Sequence, residues 1–308
     1  MPAAIFIGTR GSPLALWQAR HVRGRLLAAH GLDDGAVDLS VIVTSGDRIQ
    51  DQPLADFGGK GLFTKEIDEA LLRGGIALAV HSMKDLPTVL PDGLCVAAVL
   101  PRADVRDAFL SPKAPSLKEL PPGAVVGTSS LRRGAQVRRL RPDLRVIDFR
   151  GNVETRLRKL EEGIADATLL AMAGLERLGL AAKVASVMPV DEMLPAVAQG
   201  AIAIVTRKDD ADTKALLAPL NDPATMTAVT CERAFLAELD GSCRTPIAGL
   251  AEVDGDRVRF RGLILSPGGA EWHDVEMTGV AEQAEELGRT AGEDVLARAG
   301  ANFLAKLP

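Results

Sequence analysis

Short apolar runs alternate along the first two hundred residues with stretches whose apolar positions recur at helical spacing, and the alternation occurs twice. IFIGTRGSPLALWQARHV, VDLSVIVTSGD, LFTKEIDEALLRGG and IALAVHSMKD read as strand and helix, strand, helix, strand, and AVVGTSSLRRGAQV, LRVIDFRGN, ETRLRKLEEG and ADATLLAMAGL repeat that order. In both copies the first strand runs into Gly-Thr, then serine, then a helix, at residues 8–12 and 127–131. The pattern predicts two similar α/β domains, each with a mainly parallel sheet and its ligand loops at the carboxyl ends of the strands. QGAIAIVTRKDD predicts one more strand, returning to the first sheet. From about Asp222 the pattern changes to a helix, alternating strands around VDGD and SPGG turns, and a closing helix, which predicts a small α+β C-terminal domain. The predicted division is 1–100 with 196–218, 105–194, and 222–308, with linkers at 101–107 and 188–195 and a glycine-rich loop at 54–63 able to act as a lid.

The two helix starts of the second copy carry unusual charge. Thr128, Ser129 and Ser130 read as the N-cap of a helix opening at Leu131, which places Arg132 and Arg133 in its first turn. Backbone N–H groups and the macrodipole disfavour cations there by roughly 0.3–1 kcal/mol. A bound anion removes the conflict. In VIDFRGNVETRLRKLEEG a strand is predicted to end at Phe149, Arg150 and Gly151 to turn, and Asn152 to cap a helix whose stripe is Leu157, Leu160 and Ile164. Arg156 then falls near the stripe, whereas Arg158 and Lys159 fall opposite; these two, with Arg138, Arg139 and Arg141, read as a solvated face. Arg10, ahead of Ser12-Pro13, repeats the cation at a helix start, and Arg177 is either a further pocket residue or an exposed helical arginine.

Composition sharpens this picture. Eight arginines against three acids lie between residues 127 and 156 in a chain of formal net charge −5. A local cationic excess in an acidic chain points to a pocket for a small, multiply charged ligand rather than to a polymer. No tyrosine and 3% aromatics argue further against nucleic acid. At 308 residues, with 47% hydrophobic and 25% charged residues, the chain reads as about two soluble domains. MPAAIFIGTRG lacks a basic leader and no stretch approaches a membrane span, so the cytoplasm is expected. Four scattered histidines and the three cysteines, Cys95, Cys231 and Cys243, show no metal-ligand spacing, so neither a metal nor a disulfide is expected.

Two segments carry candidate chemistry. IALAVHSMKDLP places Ser82, Lys84 and Asp85 just past an apolar strand, where a carboxylate can transfer protons or, alternatively, pair with Lys84 or cap a turn. In ELDGSCRTP, Cys243 follows Gly241, which reads as the residue ending a helix, and Pro246 begins a strand. A helix C-terminus does not lower a thiol pKa, so Cys243 suits an attachment point better than a protease-type nucleophile. Cys95 reads as core, and Cys231 as a structural cysteine on a helix face.

Taken together, GTRGSPLAL, GGKGLF, VHSMKDLP, GTSSLRR, RGNVETR and DGSCRTPI, in this order, closely resemble the porphobilinogen deaminase family. The resemblance implies two periplasmic-binding-protein-like α/β domains, and an enzyme that joins four porphobilinogen molecules head to tail with loss of ammonia. It also implies a dipyrromethane cofactor tethered by a thioether to Cys243, with Asp85 as the catalytic aspartate. Ser12, Ser82, Lys84, Thr128, Ser129, Arg132, Arg133, Arg150 and Arg156 match cofactor-binding positions, and Arg10, Lys60, Phe63, Arg177 and Gln199 match substrate-binding ones. A monomer is implied, with porphobilinogen and the growing polypyrrole as ligands and no metal, nucleic acid or membrane. Asp56, Ser242 and Ala198 depart from the family pattern, which often has a basic residue, glycine and glycine there. A non-catalytic binding protein for a small polycarboxylate is the alternative.

Overall fold

The computed structural model describes residues 5–48, 64–239 and 245–304. The chain opens with β1 (Ile5–Thr9) and α1 (Pro13–His30), capped by Ser12 Oγ accepting from the Ala15 amide at 3.3 Å. Strand β2 (Val37–Val41), helices α2 (Ser45–Arg48) and α3 (Lys65–Leu72), and strands β3 (Leu78–Ser82) and β4 (Leu94–Val99) follow. The second copy begins with β5 (Asp107–Leu110), then β6 (Val125–Gly127), α4 (Leu131–Leu140), β7 (Arg145–Ile147), α5 (Val153–Glu161), β8 (Ala167–Ala171), α6 (Met172–Arg177) and β9 (Ser186–Val187). After β10 (Ile202–Arg207), α7 (Ala211–Leu217) and α8 (Pro223–Glu238), an antiparallel meander of β11 (Ile247–Asp254), β12 (Arg257–Leu265) and β13 (Trp272–Val280) leads into α9 (Ala284–Leu304).

The first two sheets have the same plan. Their orders are β2-β1-β3-β10-β4 and β7-β6-β8-β5-β9. In each, four strands run one way and the fourth position runs against them, as β10 against β3 and β4, and β5 against β8 and β9. The sheets are therefore mainly parallel. Each opposed strand is the first strand formed after the chain has left the other unit. The chain divides into residues 1–102 with 201–226, and 103–200 with 227–308, so the antiparallel sheet shares a unit with the second α/β half.

Close packing explains the repeated Gly-Thr. A β-carbon at Gly8 would sit 2.2 Å from Ile76 Cδ1, and one at Gly127 2.5 Å from the Phe149 ring. Glycine lets a bulky apolar residue just outside a neighbouring strand, Ile76 before β3 and Phe149 after β7, pack against the strand end. In the first unit Ile7, Val22, Leu26, Leu78, Val80 and Ile204 form a continuous buried core between α1 and the sheet. In the second, Phe109, Val126, Val137 and Leu169 fill one cluster, and Leu110, Phe149, Leu157 and Leu170 another. Ala135 of α4 joins Ala248, Leu250, Leu263 and Leu265 of the antiparallel sheet in a further buried cluster.

Some local expectations are corrected. Strand β7 ends at Ile147, two residues before Phe149, and Ile164 lies past α5 with 49% exposure, outside the stripe that Leu157 and Leu160 bury. Asn152 caps α5, its Oδ1 accepting from the Thr155 amide at 2.8 Å. Arg138, Arg139 and Arg141 do more than face solvent. Arg138 donates to the Pro267 carbonyl at 3.1 Å, the Arg139 guanidinium lies 4.1 Å from the centre of the Trp272 ring, and Arg141 donates to the carbonyls of Leu117, Lys118 and Leu120. The first two fasten α4 to the meander and its turn, and the third ties the helix end to the 117–120 loop. Lys159 turns back from its exposed neighbour Arg158 to donate to the Arg150 carbonyl at 3.1 Å.

Candidate functional site

In the first unit, the carboxyl end of β3 carries the VHSMKD residues. Met83–Asp85 form a single 3-10 turn that leaves Asp85 exposed, Lys84 half-buried and Met83 in the core. Behind them Ser82 Oγ accepts from Gln18 Nε2 at 2.9 Å, tying the strand end to α1. His81 is buried beside Ser82, and its Nε2 has no hydrogen-bond partner among the described residues. Burial, reinforced by the nearby Arg10 guanidinium, pulls its pKa down to about 4, so the ring is neutral at physiological pH. Arg10 itself is half-buried just past β1, ahead of the Ser12 cap.

The second unit shows why two arginines can occupy the first turn of a helix. Ser130 caps α4, its Oγ accepting from the Arg133 amide at 3.4 Å. Its neighbours brace the approach: Thr128 Oγ1 accepts from the Ser130 amide at 3.2 Å, and Ser129 Oγ accepts from the Phe149 amide at 3.0 Å. Arg132 and Arg133 both turn inward, each side chain 6% exposed, onto the fully buried Asp107. Arg133 Nη2 donates to Oδ1 at 2.7 Å, and Arg132 Nη1 pairs with Oδ2 at 2.8 Å while donating to the Leu194 carbonyl at 2.8 Å. Burial alone would raise the Asp107 carboxyl, but the two guanidiniums outweigh it and hold it below the usual carboxylate range.

The protein thus supplies the first counter-ion itself. One carboxylate against two guanidiniums leaves one positive charge in this buried group, and Arg133 Nε finds no acceptor among the described residues. A buried cation with an unspent donor at a helix start is suited to an anionic ligand group.

Other predicted residues of this unit fall into place differently. Gln199 is fully buried, and its Nε2 is shared between the Val105 carbonyl and Asp107 Oδ1, each at 2.8 Å. Arg177 reaches the Gly200 carbonyl at 2.6 Å, and burial pulls its guanidinium down to about 10. Arg150 is half-buried and pairs with Asp148 at 3.0 Å; Arg156 is half-buried on α5. Lys60, Phe63 and Cys243, with the departures Asp56 and Ser242, lie outside the described residues. Cys231 is buried in α8, where burial and then Glu232 push its thiol up to about 12, so it is no nucleophile at neutral pH; Cys95 is half-buried on β4.

Asp107, Gln18 and Glu232 were not read from the sequence. Asp107 has a signal, an acid opening the apolar strand DAFL at the last residue of the expected 101–107 linker. Among the described residues no cluster of possible metal ligands occurs, and no helix is long and apolar enough to cross a membrane.

Two α/β sheets of one plan, the second with a half-neutralised, buried arginine pair at a helix start, define the class: a mainly parallel α/β protein with a buried cationic group. The family model for the porphobilinogen deaminase dipyromethane cofactor binding domain matches residues 5–215, and that for the C-terminal domain of porphobilinogen deaminase matches residues 226–297. Porphobilinogen deaminase of Nitrobacter winogradskyi is 58% identical over 96% of this chain and 94% of its own, and that of Paracoccus denitrificans 56% over 97% and 96%. The chloroplastic porphobilinogen deaminase of Pisum sativum is 55% identical over 98% of this chain and 83% of its own. A periplasmic substrate-binding protein from Coxiella burnetii is a remote structural neighbour, 14% identical with TM-score 0.44 over 74% of this chain and 96% of its own. The chain belongs to the porphobilinogen deaminase family.

Proposed function

We propose that this chain is a transferase that condenses four porphobilinogen molecules head to tail, releasing ammonia each time, and frees hydroxymethylbilane by hydrolysis in porphyrin and haem biosynthesis. The observation that carries the reading is the buried Arg132–Arg133 pair, left with one positive charge by Asp107, in a chain of this family. Porphobilinogen bears an acetate and a propionate, so each condensation adds two carboxylates that need cationic partners. Each charge-assisted hydrogen bond to them contributes roughly 1.5–3 kcal/mol.

The residues also fit the family's dipyrromethane cofactor. A carboxylate-bearing group suits the unspent Arg133 Nε and the surplus charge beside it. By the family resemblance Ser12, Ser82, Lys84, Thr128, Ser129, Arg132, Arg133, Arg150 and Arg156 would hold it, with Cys243 as the thioether attachment. When bound, the cofactor supplies a tethered primer, which makes successive couplings effectively intramolecular. Asp85, exposed at the end of β3, stabilises positive charge developing on the pyrrole N–H groups and moves protons there. Arg10, Arg177, Lys60 and Phe63 meet the incoming substrate. The protein acts as a monomer in the cytoplasm, without a membrane, nucleic-acid or metal partner. The non-catalytic binding protein is the weaker alternative.

Intact mass under denaturing conditions tests this directly. The expected result is an excess equal to two porphobilinogen units less two ammonias, absent in Cys243→Ser. Protein whose mass stays unaltered after incubation with porphobilinogen would mean that the arginines bind and nothing is polymerised.

A further inference from the structure

Asp107 is placed to do more than neutralise charge. A carboxylate serving only as counter-ion needs proximity, whereas this one gives a different oxygen to each guanidinium, Oδ1 accepting a hydrogen bond from Arg133 and Oδ2 forming an ion pair with Arg132. Its own position is fixed from behind, since Gln199 Nε2 bridges Oδ1 to the Val105 carbonyl. Gln199 is fixed in turn by the preceding residue. Ala198 has φ 59° and donates its amide to the buried carboxylate of Glu232 at 2.6 Å, and Glu232 accepts from the Ala251 amide through its other oxygen at 2.8 Å. A chain of buried polar contacts therefore runs from the meander, through the 198–199 turn, to both guanidiniums.

We propose that Asp107 is a positioning residue, whose carboxylate, held by Gln199, aims Arg132 and Arg133 at the anionic groups bound at the start of α4. The proposal rests on the reading that those arginines hold the carboxylates of the cofactor. It opposes the simpler view that Asp107 competes with bound anions for the same cations. The two views predict opposite signs: Asp107→Asn raises the positive charge of the group, and so strengthens anion binding if Asp107 competes, but disorders the guanidiniums if it positions them.

Two measurements decide. Apo-protein is incubated with porphobilinogen and the gain in mass is followed, with thermal unfolding recorded so that rates are compared where every variant is folded. Loading at least tenfold slower in Asp107→Asn is expected, and loading at or above the wild-type rate overturns the proposal. Should Asp107→Asn fail to fold, Gln199→Leu leaves all three charges and removes the strut; slowed loading supports the proposal and unchanged loading overturns it. The arginine Nε–H NMR signals of Arg132 and Arg133 in the apo-protein, assigned with Arg132→Lys and Arg133→Lys, give a second readout that needs no porphobilinogen. These signals are expected to be protected from solvent exchange in the wild type and to lose protection in Asp107→Asn or Gln199→Leu, while unchanged protection overturns the proposal. If porphobilinogen adds no mass even to the wild type, the functional reading fails and the NMR result still judges Asp107. A purely structural role would lower the melting temperature and move neither readout in the folded protein.

Discussion

His81 on β3 and Asp85 in the turn that follows it have opposite exposure. Asp85 is exposed, outside the core, and Asp85→Asn is expected to keep the fold and the adduct while lowering kcat about 100-fold or more, as loss of a proton-transfer group does. Single-turnover kinetics on protein of verified mass checks this, and wild-type rates would remove Asp85 from the chemistry. His81 is buried and stays neutral to about pH 4, whereas the unfolded chain protonates it from about pH 6.5 downward. The unfolded state then binds more protons in that window, so His81 makes stability fall as pH falls, by about 3 kcal/mol at the lower end. Urea midpoints from pH 7 to 4 should show a shallower fall in His81→Gln; the comparison between the two proteins is needed because burial raises the Asp68 carboxyl, which acts in the opposite direction. The contribution of Asp107, whose carboxyl is lowered, is lost only at more acid pH. Arg132 and Arg133 were legible as anion-seeking from their place in a helix turn, but their partner lies 25 residues or more away in sequence, on strand β5, and only the tertiary fold brings it near. Charge pattern along a chain reports local conflict and is silent on which distant group resolves it.

At the level of elements, periodicity gave the order of strands and helices because α3, α4 and α5 are amphipathic and both copies are punctuated by Gly-Thr and serine caps. It did not give ends set by tertiary packing, such as Ile147 for β7, where Phe149 leaves the strand to lie over Gly127. Gly127→Ala would force that ring aside and is expected to cost about 1–3 kcal/mol in a urea denaturation series. The 198–200 turn carries a comparable demand. Ala198 stands, at φ 59°, where the family often has glycine, and a left-handed alanine costs roughly 1–2 kcal/mol. Ala198→Gly relieves that cost but loses a buried methyl, about 0.8 kcal/mol, and frees the unfolded chain by roughly 0.5–1 kcal/mol more, so a shift near zero is expected. Ala198→Val has no such compensation; a midpoint equal to wild type would show that the turn tolerates a branched side chain.

For the molecule as a whole, the opposed strand β10 means that the first α/β half is not a contiguous piece of chain, whereas the second sheet is built wholly from residues 107–187. Strand β4 pairs only with β10, so residues 1–102 alone would leave it without a partner and β3 with an open edge. That fragment is expected to show no cooperative unfolding transition by circular dichroism, and a sharp transition would mean that the sheet closes without β10. Composition and charge bounded the class of ligand, and the returning strand was legible as QGAIAIVTRKDD, yet the sharing of one unit by the second sheet and the meander was not, because the cluster joining Ala135 to Leu250 and Leu263 has no periodic signature. The same interleaving sets a timetable on the ribosome. The sheet that begins the chain must wait, half assembled, until residues 202–207 emerge, while the sheet that begins about a hundred residues later has all its strands by Val187 and can close first. The nascent amino-terminal half is thus the stretch that most needs protection from misplaced strand pairing during synthesis.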